Sequence, residues 1–127
     1  MATVLIVEDD EHVRVLTESI VRAHGFQTLA ADGSEQALAF FNDPDQQIDL
    51  LFADIGLRHE KYGGLDLAQE AVRRRPGMPV LYTSGRNLTD TMRARFVDNS
   101  SFLPKPYTSD GLLWGVRDLL SKSVKAA

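Results

Sequence analysis

The sequence predicts an α/β protein with a doubly wound, five-stranded parallel sheet covered by helices on both faces. Short apolar runs alternate with segments of helical periodicity along the whole chain, and this alternation is typical of βα units. The runs are continuous and rich in β-branched residues, as expected for strands that are buried on both faces. Because the connections are short, we expect one domain over residues 1–127.

The first two predicted βα units have clear boundaries in the sequence. Residues 3–7 form the first strand, and the helix after it has apolar residues at helical spacing until Gly25 stops it. Residues 26–30 form the second strand. Ser34 is the predicted N-cap of the second helix, which ends near Pro44 because proline interrupts helical hydrogen bonding.

The third unit and the fourth strand follow the same order. Residues 48–53 form the third strand, and the next helix opens at Gly63 and Gly64 and closes at Pro76. Residues 79–83 form the fourth strand, which is again a continuous apolar run. The alternation of strand and helix is therefore unbroken through the middle of the chain.

The last part of the chain contains a weak helix, a short strand and a well-marked helix. The weak helix is predicted over residues 88–96, and residues 101–103 form the fifth strand. Residues 121–127 are predicted to be a frayed tail. The final helix is identified by an apolar stripe at helical spacing, made of Leu112, Leu113, Val116, Leu119 and Leu120.

Composition and charge exclude several classes of protein. The net charge is −4, so a broad nucleic-acid-binding surface is not expected, and the absence of cysteine excludes disulfides and cysteine-based zinc sites. The N-terminus has neither the basic region nor the apolar length of a signal peptide. No apolar stretch approaches the ~20 residues needed to span a bilayer. We therefore predict a cytoplasmic protein with no direct nucleic-acid or membrane partner.

Polar side chains follow four of the predicted strands. Because the carboxyl ends of parallel strands meet at one edge of a sheet, where ligands bind, we expect these side chains to converge. In chain order they are Glu8, Asp9 and Asp10 after the first strand, Asp54 after the third, Thr83 and Ser84 after the fourth, and Lys105 after the fifth.

This set of side chains suits phosphoryl transfer. Clustered carboxylates repel each other, and a hard divalent cation such as Mg²⁺ relieves that repulsion with oxygen ligands. A carboxylate is also an accepted covalent acceptor, as an aspartyl phosphate. With a metal ion beside Asp54 and the Lys105 ammonium opposite it, the charge of a transferring phosphoryl group would be neutralised. Asp54 is therefore the predicted nucleophile.

Four short segments carry a resemblance to a known family, and they occur in its order and at its spacing. They are VLIVEDDEHVR, DLLFADIGL, PVLYTSGR and FLPKPY. Together they resemble the receiver domain of two-component response regulators, and the resemblance covers essentially the whole chain. It implies a flavodoxin-like (βα)5 fold with strand order 2-1-3-4-5. It also implies that the protein is a phosphoprotein of a phosphorelay rather than an enzyme acting on another substrate.

The resemblance assigns the acceptor and the metal ligands. Asp54 matches the phosphorylated aspartate. Glu8 and Asp9 match the acidic pair of the magnesium site, with Asp9 the direct ligand. Asp54 itself and the backbone carbonyl of Gly56 complete the implied ligand set. The implied cofactor is Mg²⁺.

The resemblance also assigns the groups that contact the phosphoryl group and respond to it. Ser84 matches the hydroxyl that follows the phosphate, and Lys105 matches the lysine that contacts it. Phe102 matches the aromatic switch position. The Lys105–Pro106 peptide bond is expected to be cis, a form that only X-Pro bonds adopt cheaply.

The segment after Asp54 departs from the family pattern. Arg58 stands where the family usually has proline, and Gly64 comes later than the family glycine. The loop is therefore longer and more polar, which affects partner choice and phosphoryl lifetime more than the basic chemistry. Arg86, two residues after Ser84, is expected to face the site and to influence autodephosphorylation.

The implied function is a switch that accepts a phosphoryl group from a histidine kinase or a histidine phosphotransfer protein. The sequence ends after its fifth helix, so we expect a stand-alone receiver whose output passes through an unknown downstream protein. Phosphorylation-dependent dimerisation is left open. The alternative is a receiver-like binding module that works without phosphorylation. A phosphatase with a second aspartate as general acid is disfavoured because Gly56 occupies that place.

Other roles remain open for three of these side chains. Phe102 is equally a plain core residue or a moving switch. Trp114 lies off the apolar stripe of the last helix, so it is either partly buried or an exposed partner contact. Asp10 is explained as a first-turn charge favoured by the helix dipole.

Overall fold

A computed structural model describes residues 1–57 and 63–126, with the side chains of residues 123–126 excepted. A single parallel sheet has the order β2-β1-β3-β4-β5, so the predicted fold and strand order are confirmed. The strands are β1 Thr3–Val7, β2 Gln27–Ala31, β3 Leu50–Asp54, β4 Val80–Ser84 and β5 Ser100–Pro104. The helices are α1 Glu11–Ala23, α2 Ser34–Asn42, α3 Gly63–Arg74, α4 Asp90–Ala94 and α5 Ser109–Ala126.

The helices form two layers, one on each face of the sheet. The first layer consists of α1 and α5, and the second layer consists of α2, α3 and α4. Alternate strand residues pack into each layer because successive side chains of a strand point to opposite faces. Ile6, Leu50 and Phe52 pack with the first layer, whereas Leu51 and Tyr82 pack with the second.

The three central strands are buried throughout, and the two edge strands are not. The predicted bounds of four strands need correction: β3 is Leu50–Asp54 rather than residues 48–53, β4 is Val80–Ser84 rather than residues 79–83, and the two edge strands also differ. β2 begins one residue later than predicted because the Gln27 N–H donates to the Ala2 carbonyl, while Phe26 packs into the first-layer core. β5 covers Ser100–Pro104 rather than residues 101–103, because Ser100 continues the register opposite Val80.

Two predicted helix boundaries are wrong. Ser34 is the first residue of α2 rather than its N-cap, which is Gly33, and the Gly33 carbonyl accepts the Ala37 N–H. The weak fourth helix is shorter than the predicted residues 88–96. It ends at Ala94, and the next N–H, of Arg95, donates back to the Met92 carbonyl in a tighter turn.

The last helix packs as its apolar stripe predicts. Leu112, Val116 and Leu119 are buried against the sheet, while Trp114 is 68% exposed. The helix continues to Ala126, through most of the segment that was predicted to be frayed, and an ion pair of Lys122 with Asp118 lies within its last turns. Across residues 1–57 and 63–126, no helix has the length and apolar character that crossing a bilayer requires.

Candidate functional site

Three carboxylates and one lysine meet at the carboxyl edge of the sheet, as predicted. Glu8, Asp9 and Asp54 each offer a carboxylate oxygen, and these atoms lie within 4.8 Å of one another. Glu8 and Asp54 are only 4% and 6% exposed. The Lys105 ammonium lies 2.8 Å from Asp54 Oδ2 and 2.5 Å from Glu8 Oε1, so it bridges the two buried carboxylates.

The backbone around Asp54 holds its carboxylate in place. Asp54 is the last residue of β3, and the Gly56 N–H donates to Asp54 Oδ1 over 2.8 Å. The Ile55 N–H donates to the Thr83 carbonyl of β4, so the chain stays attached to the sheet just beyond the acceptor. One carboxylate oxygen therefore faces a backbone donor and the other faces the Lys105 ammonium. The predicted use of the Gly56 carbonyl as a metal ligand stays a prediction.

Two glycines bring the start of α3 against the backbone of the acceptor. Gly63 has φ +60°, which favours glycine, and a Cβ there would lie 2.7 Å from the Ile55 carbonyl oxygen. A Cβ at Gly64 would lie 2.8 Å from the Asp54 carbonyl carbon and closer still to its oxygen. From the sequence, these glycines were placed at the start of a helix, and Gly64 was compared only with the position of the family glycine. The adjacent pair was the available signal for a close approach of two backbone segments.

The loop between β1 and α1 is held by hydrogen bonds at both ends. The Glu8 N–H donates to the Ala31 carbonyl, and the Glu8 carbonyl accepts from the Arg14 guanidinium over 2.8 Å. Asp10 is the N-cap of α1, where its carboxylate accepts two backbone N–H groups. This capping role agrees with the interpretation of Asp10 as a helix-start charge. Arg14 was not singled out from the sequence.

Lys105 follows β5 on a segment that is held on both sides. Its backbone N–H donates to the Ser84 carbonyl over 3.0 Å, and the Lys105–Pro106 bond is cis, as predicted. Two residues later, the Tyr107 hydroxyl is hydrogen-bonded to the Thr17 hydroxyl on α1. The lysine therefore reaches the carboxylates from a fixed backbone position.

The pKa values of Glu8 and Lys105 are both raised, which favours the neutral form of Glu8 and the charged form of Lys105. Burial raises the pKa of Glu8 to about 7, and the hydrogen bond from Lys105 only partly offsets this effect. Burial alone would lower the pKa of Lys105. Its hydrogen bonds to Asp54 and Glu8 outweigh that effect, so the pKa of Lys105 is raised and the ammonium stays charged. The site therefore holds a firm positive charge beside a carboxyl that titrates near neutrality.

The donor set fits a hard divalent cation. Three carboxylates converge within one ligand sphere, and Lys105 is hydrogen-bonded to two of them, Glu8 and Asp54. Burial raises the pKa of Glu8, and a bound divalent cation would favour the charged form of that carboxyl group. Oxygen ligands of this kind suit Mg²⁺ rather than a softer metal. Glu8, Asp9 and Asp54 are the residues that would hold it.

Ser84 and Phe102 lie outside this carboxylate cluster. Ser84 Oγ accepts the Arg86 N–H over 3.0 Å, which fixes the hydroxyl in a local turn at the end of β4. Phe102 is partly buried and packs with the second layer, where its ring stacks on Phe96, which in turn stacks on Tyr82. The structure therefore does not join these two residues directly to Asp54.

The hydroxyl of Thr83 is buried beside Asp54, and the sequence pointed to it only through its position at the end of a predicted strand. Thr83 lies opposite Asp54 in the strand register and is 2% exposed. Its Oγ1 forms no hydrogen bond with any group in the described residues. Residues 58–62, including Arg58, lie outside the described residues.

Comparison with known proteins identifies the family. The profile of the family named Response regulator receiver domain matches residues 4–125. The chain belongs to this family. The matched residues begin within β1 and end within α5, so they include the carboxylates, Ser84 and Lys105 described above. As a receiver domain, the chain is a module of two-component signalling.

Solved structures of receiver domains have the same fold. A CheY-like receiver from Methanospirillum hungatei superposes with a TM-score of 0.88, with 22% identity and coverage of 100% of this chain and 99% of that one. The receiver protein of Sinorhizobium medicae gives a TM-score of 0.86 at 27% identity, and each chain is covered to 96%. The first of these comparisons supports the fold alone.

Curated relatives are longer proteins. The transcriptional regulatory protein CpxR of Klebsiella pneumoniae is 28% identical over 97% of this chain and 51% of its own length. A putative NtrX-like response regulator of Rickettsia bellii is 30% identical over 87% of this chain and 23% of its own. The chain thus spans about half or less of the length of these relatives. The expectation of a stand-alone receiver stays a prediction.

Proposed function

We propose that this receiver domain accepts a phosphoryl group on Asp54 from the phosphohistidine of a histidine kinase or a histidine phosphotransfer protein. The observation that carries the proposal is the bridging of Asp54 and Glu8 by the Lys105 ammonium at a buried strand end. A structural aspartate at a turn requires neither a buried partner carboxylate nor a lysine that follows a strand two positions away in the sheet. Phosphoryl transfer to an aspartate has a use for all three, because it depends on positioning the acceptor and on stabilising the charge of the transferring group.

In the proposed reaction, a carboxylate oxygen of Asp54 attacks the phosphorus, and the bond from phosphorus to the histidine nitrogen breaks. The imidazole leaves with the electron pair of that bond. The Gly56 N–H and the Lys105 ammonium hold the carboxylate in one orientation before attack. Lys105 then stabilises negative charge on the phosphoryl oxygens. Mg²⁺, when bound by Glu8, Asp9 and Asp54, supplies further positive charge to the transferring group.

A groove next to Lys105 is a suitable surface for the phosphodonor protein. It has a volume of about 490 Å³ and lies between α1 and the segment after β5. The residues that line it are mainly apolar, and one of these residues, Leu16, is 62% exposed to solvent. An exposed apolar surface beside a charged acceptor fits a partner that must bind and then deliver a charged group. The lining residues are Val13, Leu16, Thr17, Gly85, Lys105, Pro106 and Tyr107.

The response to phosphorylation is proposed to involve Ser84 and Phe102. Ser84 would exchange its hydrogen bond from the Arg86 N–H for one to the phosphoryl group. Phe102 lies on β5, which pairs with β4 and is only partly buried. A movement of Ser84 on β4 would therefore change how the Phe102 ring packs against Phe96. This repacking reshapes the surface formed by α4, β5 and α5, which an unknown downstream protein would recognise. Autodephosphorylation would end the signal.

The test is phosphorylation of the purified protein with acetyl phosphate, with and without Mg²⁺, followed by intact mass. We expect one Mg²⁺-dependent phosphoryl adduct, absent from Asp54→Asn. The matched control is Asp32→Asn, because Asp32 also follows a strand but is exposed. If the adduct persisted in Asp54→Asn, another residue would be the acceptor. If neither acetyl phosphate nor a beryllium fluoride mimic bound, the phosphorylation-independent binding module would be the better account.

A further inference from the structure

A hydrogen bond between two hydroxyl groups joins the first layer to the segment that carries Lys105. Thr17 Oγ1 on α1 and Tyr107 Oη after β5 are 2.6 Å apart, although 90 positions separate them in the sequence. Thr17 is 2% exposed. Neither hydroxyl touches Glu8, Asp9 or Asp54 within the hydrogen bonds described, and neither takes part in the proposed transfer.

The Tyr107 ring ties the same segment to the acceptor strand. It packs edge-on against Phe52 with ring centroids 5.7 Å apart and an interplanar angle of 71°. Phe52 lies two positions before Asp54 on β3, so both side chains point to the same face of the sheet. Tyr107 therefore contacts α1 through its hydroxyl and β3 through its ring.

These contacts hold Lys105 from one side, and the sheet holds it from the other. The Lys105 N–H donates to the Ser84 carbonyl, and Tyr107 is only two residues further along the chain. A lysine side chain has several rotatable bonds, and its reach to two carboxylates depends on a fixed starting point. The 2.8 Å and 2.5 Å contacts of the ammonium require that the backbone remain where these anchors hold it.

We propose that Thr17 and Tyr107 are positioning residues for phosphoryl transfer, and that their hydrogen bond fixes Lys105 in contact with Asp54 and Glu8. The proposal rests on the proposed role of Lys105 at the phosphoryl group. It adds two residues that do not touch the reacting atoms. They act through the backbone between Tyr107 and Lys105.

The test uses four variants of the pair and one matched control. Thr17→Val and Tyr107→Phe each remove one hydroxyl with little change of shape, and the double variant removes both. Thr17→Ser keeps the hydroxyl and should restore function. The control is Tyr82→Phe, because Tyr82 is also buried and its hydroxyl accepts the Val97 N–H in the second layer.

The first readout is the rate of adduct formation with acetyl phosphate at saturating Mg²⁺. This small donor removes any contribution from docking of a partner protein in the neighbouring groove. We expect each single variant to slow the reaction about fivefold, the effect of one lost hydrogen bond. The double variant should be no slower than either single variant, since all three lose the same bond. Thr17→Ser and Tyr82→Phe should stay within about twofold of the parent rate.

The second readout is the NMR signal of the Lys105 ammonium in the absence of any phosphodonor. Slow proton exchange in the parent protein and faster exchange in Thr17→Val and Tyr107→Phe would support the positioning role. Unchanged exchange in both variants, or no slowed signal in the parent protein, would overturn it. Equal slowing of phosphorylation by Tyr82→Phe would also overturn it, as a general loss of stability. If the parent protein forms no adduct, the proposed function fails, whereas the ammonium signal still decides this proposal.

Discussion

The two helical layers differ in how they hold their part of the site. Asp54 follows Phe52 on the face that packs with α1 and α5, and side chains of α1 are hydrogen-bonded to the loops that carry Glu8 and Lys105. Ser84 lies two positions after Tyr82 on β4, and Phe102 lies opposite Tyr82 in the register, so these side chains share the other face, which α2, α3 and α4 cover. The residues that would do the chemistry and those that would respond to it thus lie on opposite sides of one sheet.

The second layer is itself uneven, because α3 has six buried residues and contacts the acceptor backbone through Gly64, whereas α4 has no such anchor. α1 and α5 contain 13 and 18 residues, whereas α4 contains 5 and has no buried residue. Arg95, which follows the last residue of α4, forms a partly exposed ion pair with Asp66 on α3, and such pairs contribute little. A transfer site benefits from fixed groups, while a switch requires elements that repack cheaply. We therefore expect the elements around Asp54 to be rigid and α4 to be mobile.

The largest effect is expected where α3 contacts the acceptor backbone. In Gly64→Ala, the added methyl would meet the Asp54 carbonyl group, and these are backbone atoms that cannot move without moving the acceptor. We expect a loss of about 3 kcal/mol and a fall in Tm of roughly 10 °C. Adduct formation should fall as well.

Gly85→Ala is the control for this change, because nothing lies within 4 Å of a Cβ at Gly85. Its Tm should change by no more than about 2 °C. Thermal unfolding of both variants measures the difference. Equal stability of the two variants would show that the glycine contact does not fix the acceptor.

The next effect concerns the pH dependence of metal binding. Burial raises the pKa of Glu8 to about 7, so below that pH a proton must leave the carboxyl group before it can bind a cation. Mg²⁺ affinity should therefore be constant above about pH 7 and should weaken up to about tenfold per pH unit below it. Magnesium titrations followed by amide NMR shifts at several pH values measure this.

Glu8→Gln provides the control for the titration. The variant should bind Mg²⁺ more weakly, and most of the pH dependence near neutrality should disappear because the titrating carboxyl group is gone. An unchanged pH profile in Glu8→Gln would assign the dependence to another group. It would then remove Glu8 from the expected ligand set.

A smaller effect is expected when one aromatic ring from each layer is replaced by leucine and the two variants are compared. Phe96→Leu removes the ring between Tyr82 and Phe102 and should cost about 1 to 2 kcal/mol. Its adduct should nevertheless form at nearly the parent rate, because the ring belongs to the second layer. Tyr107→Leu, in the first layer, should slow the reaction clearly. Chemical denaturation and intact-mass kinetics measure both, and equal rates in the two variants would contradict the comparison.

The smallest effect is expected at two threonines that are equally buried. Thr83 and Thr17 are each 2% exposed, but only the hydroxyl of Thr17 is hydrogen-bonded in the described part of the chain. Thr83→Val should therefore leave the free energy of unfolding unchanged or raise it slightly. Thr17→Val should lower it by about 1 kcal/mol. Urea unfolding of the pair tests this, and a larger loss in Thr83→Val would mean that its hydroxyl has a partner.

The fold and the polar edge were predictable from local patterns. Continuous apolar runs identified the central strands, and the rule that parallel strands end at one edge brought Glu8, Asp54 and Lys105 together. The cis bond after Lys105 followed from the resemblance. These features depend on residue type and chain position, which the sequence contains directly.

Other features depend on how distant segments dock. The contact of Thr17 with Tyr107 joins residues far apart in the chain, and no local sequence pattern around either residue contains it. Gly64 was recognised as a helix start, but its approach to Asp54 follows from the placement of α3. The short α4 was overestimated because Phe96 fits a helical pattern, whereas its ring stacks on Tyr82 beyond the end of the helix.

The central claim is that α1 and the start of α3 hold the acceptor in place, and that α4 and β5 respond to phosphorylation. Hydrogen exchange measured by mass spectrometry, with and without beryllium fluoride and Mg²⁺, tests it most directly. We predict changed exchange across α4 and β5, unchanged exchange across α1, and no change anywhere in Asp54→Asn that depends on beryllium fluoride. Equal changes in α1 and in α4 would contradict this division of roles. A response that persisted in Asp54→Asn would contradict the assignment of the acceptor.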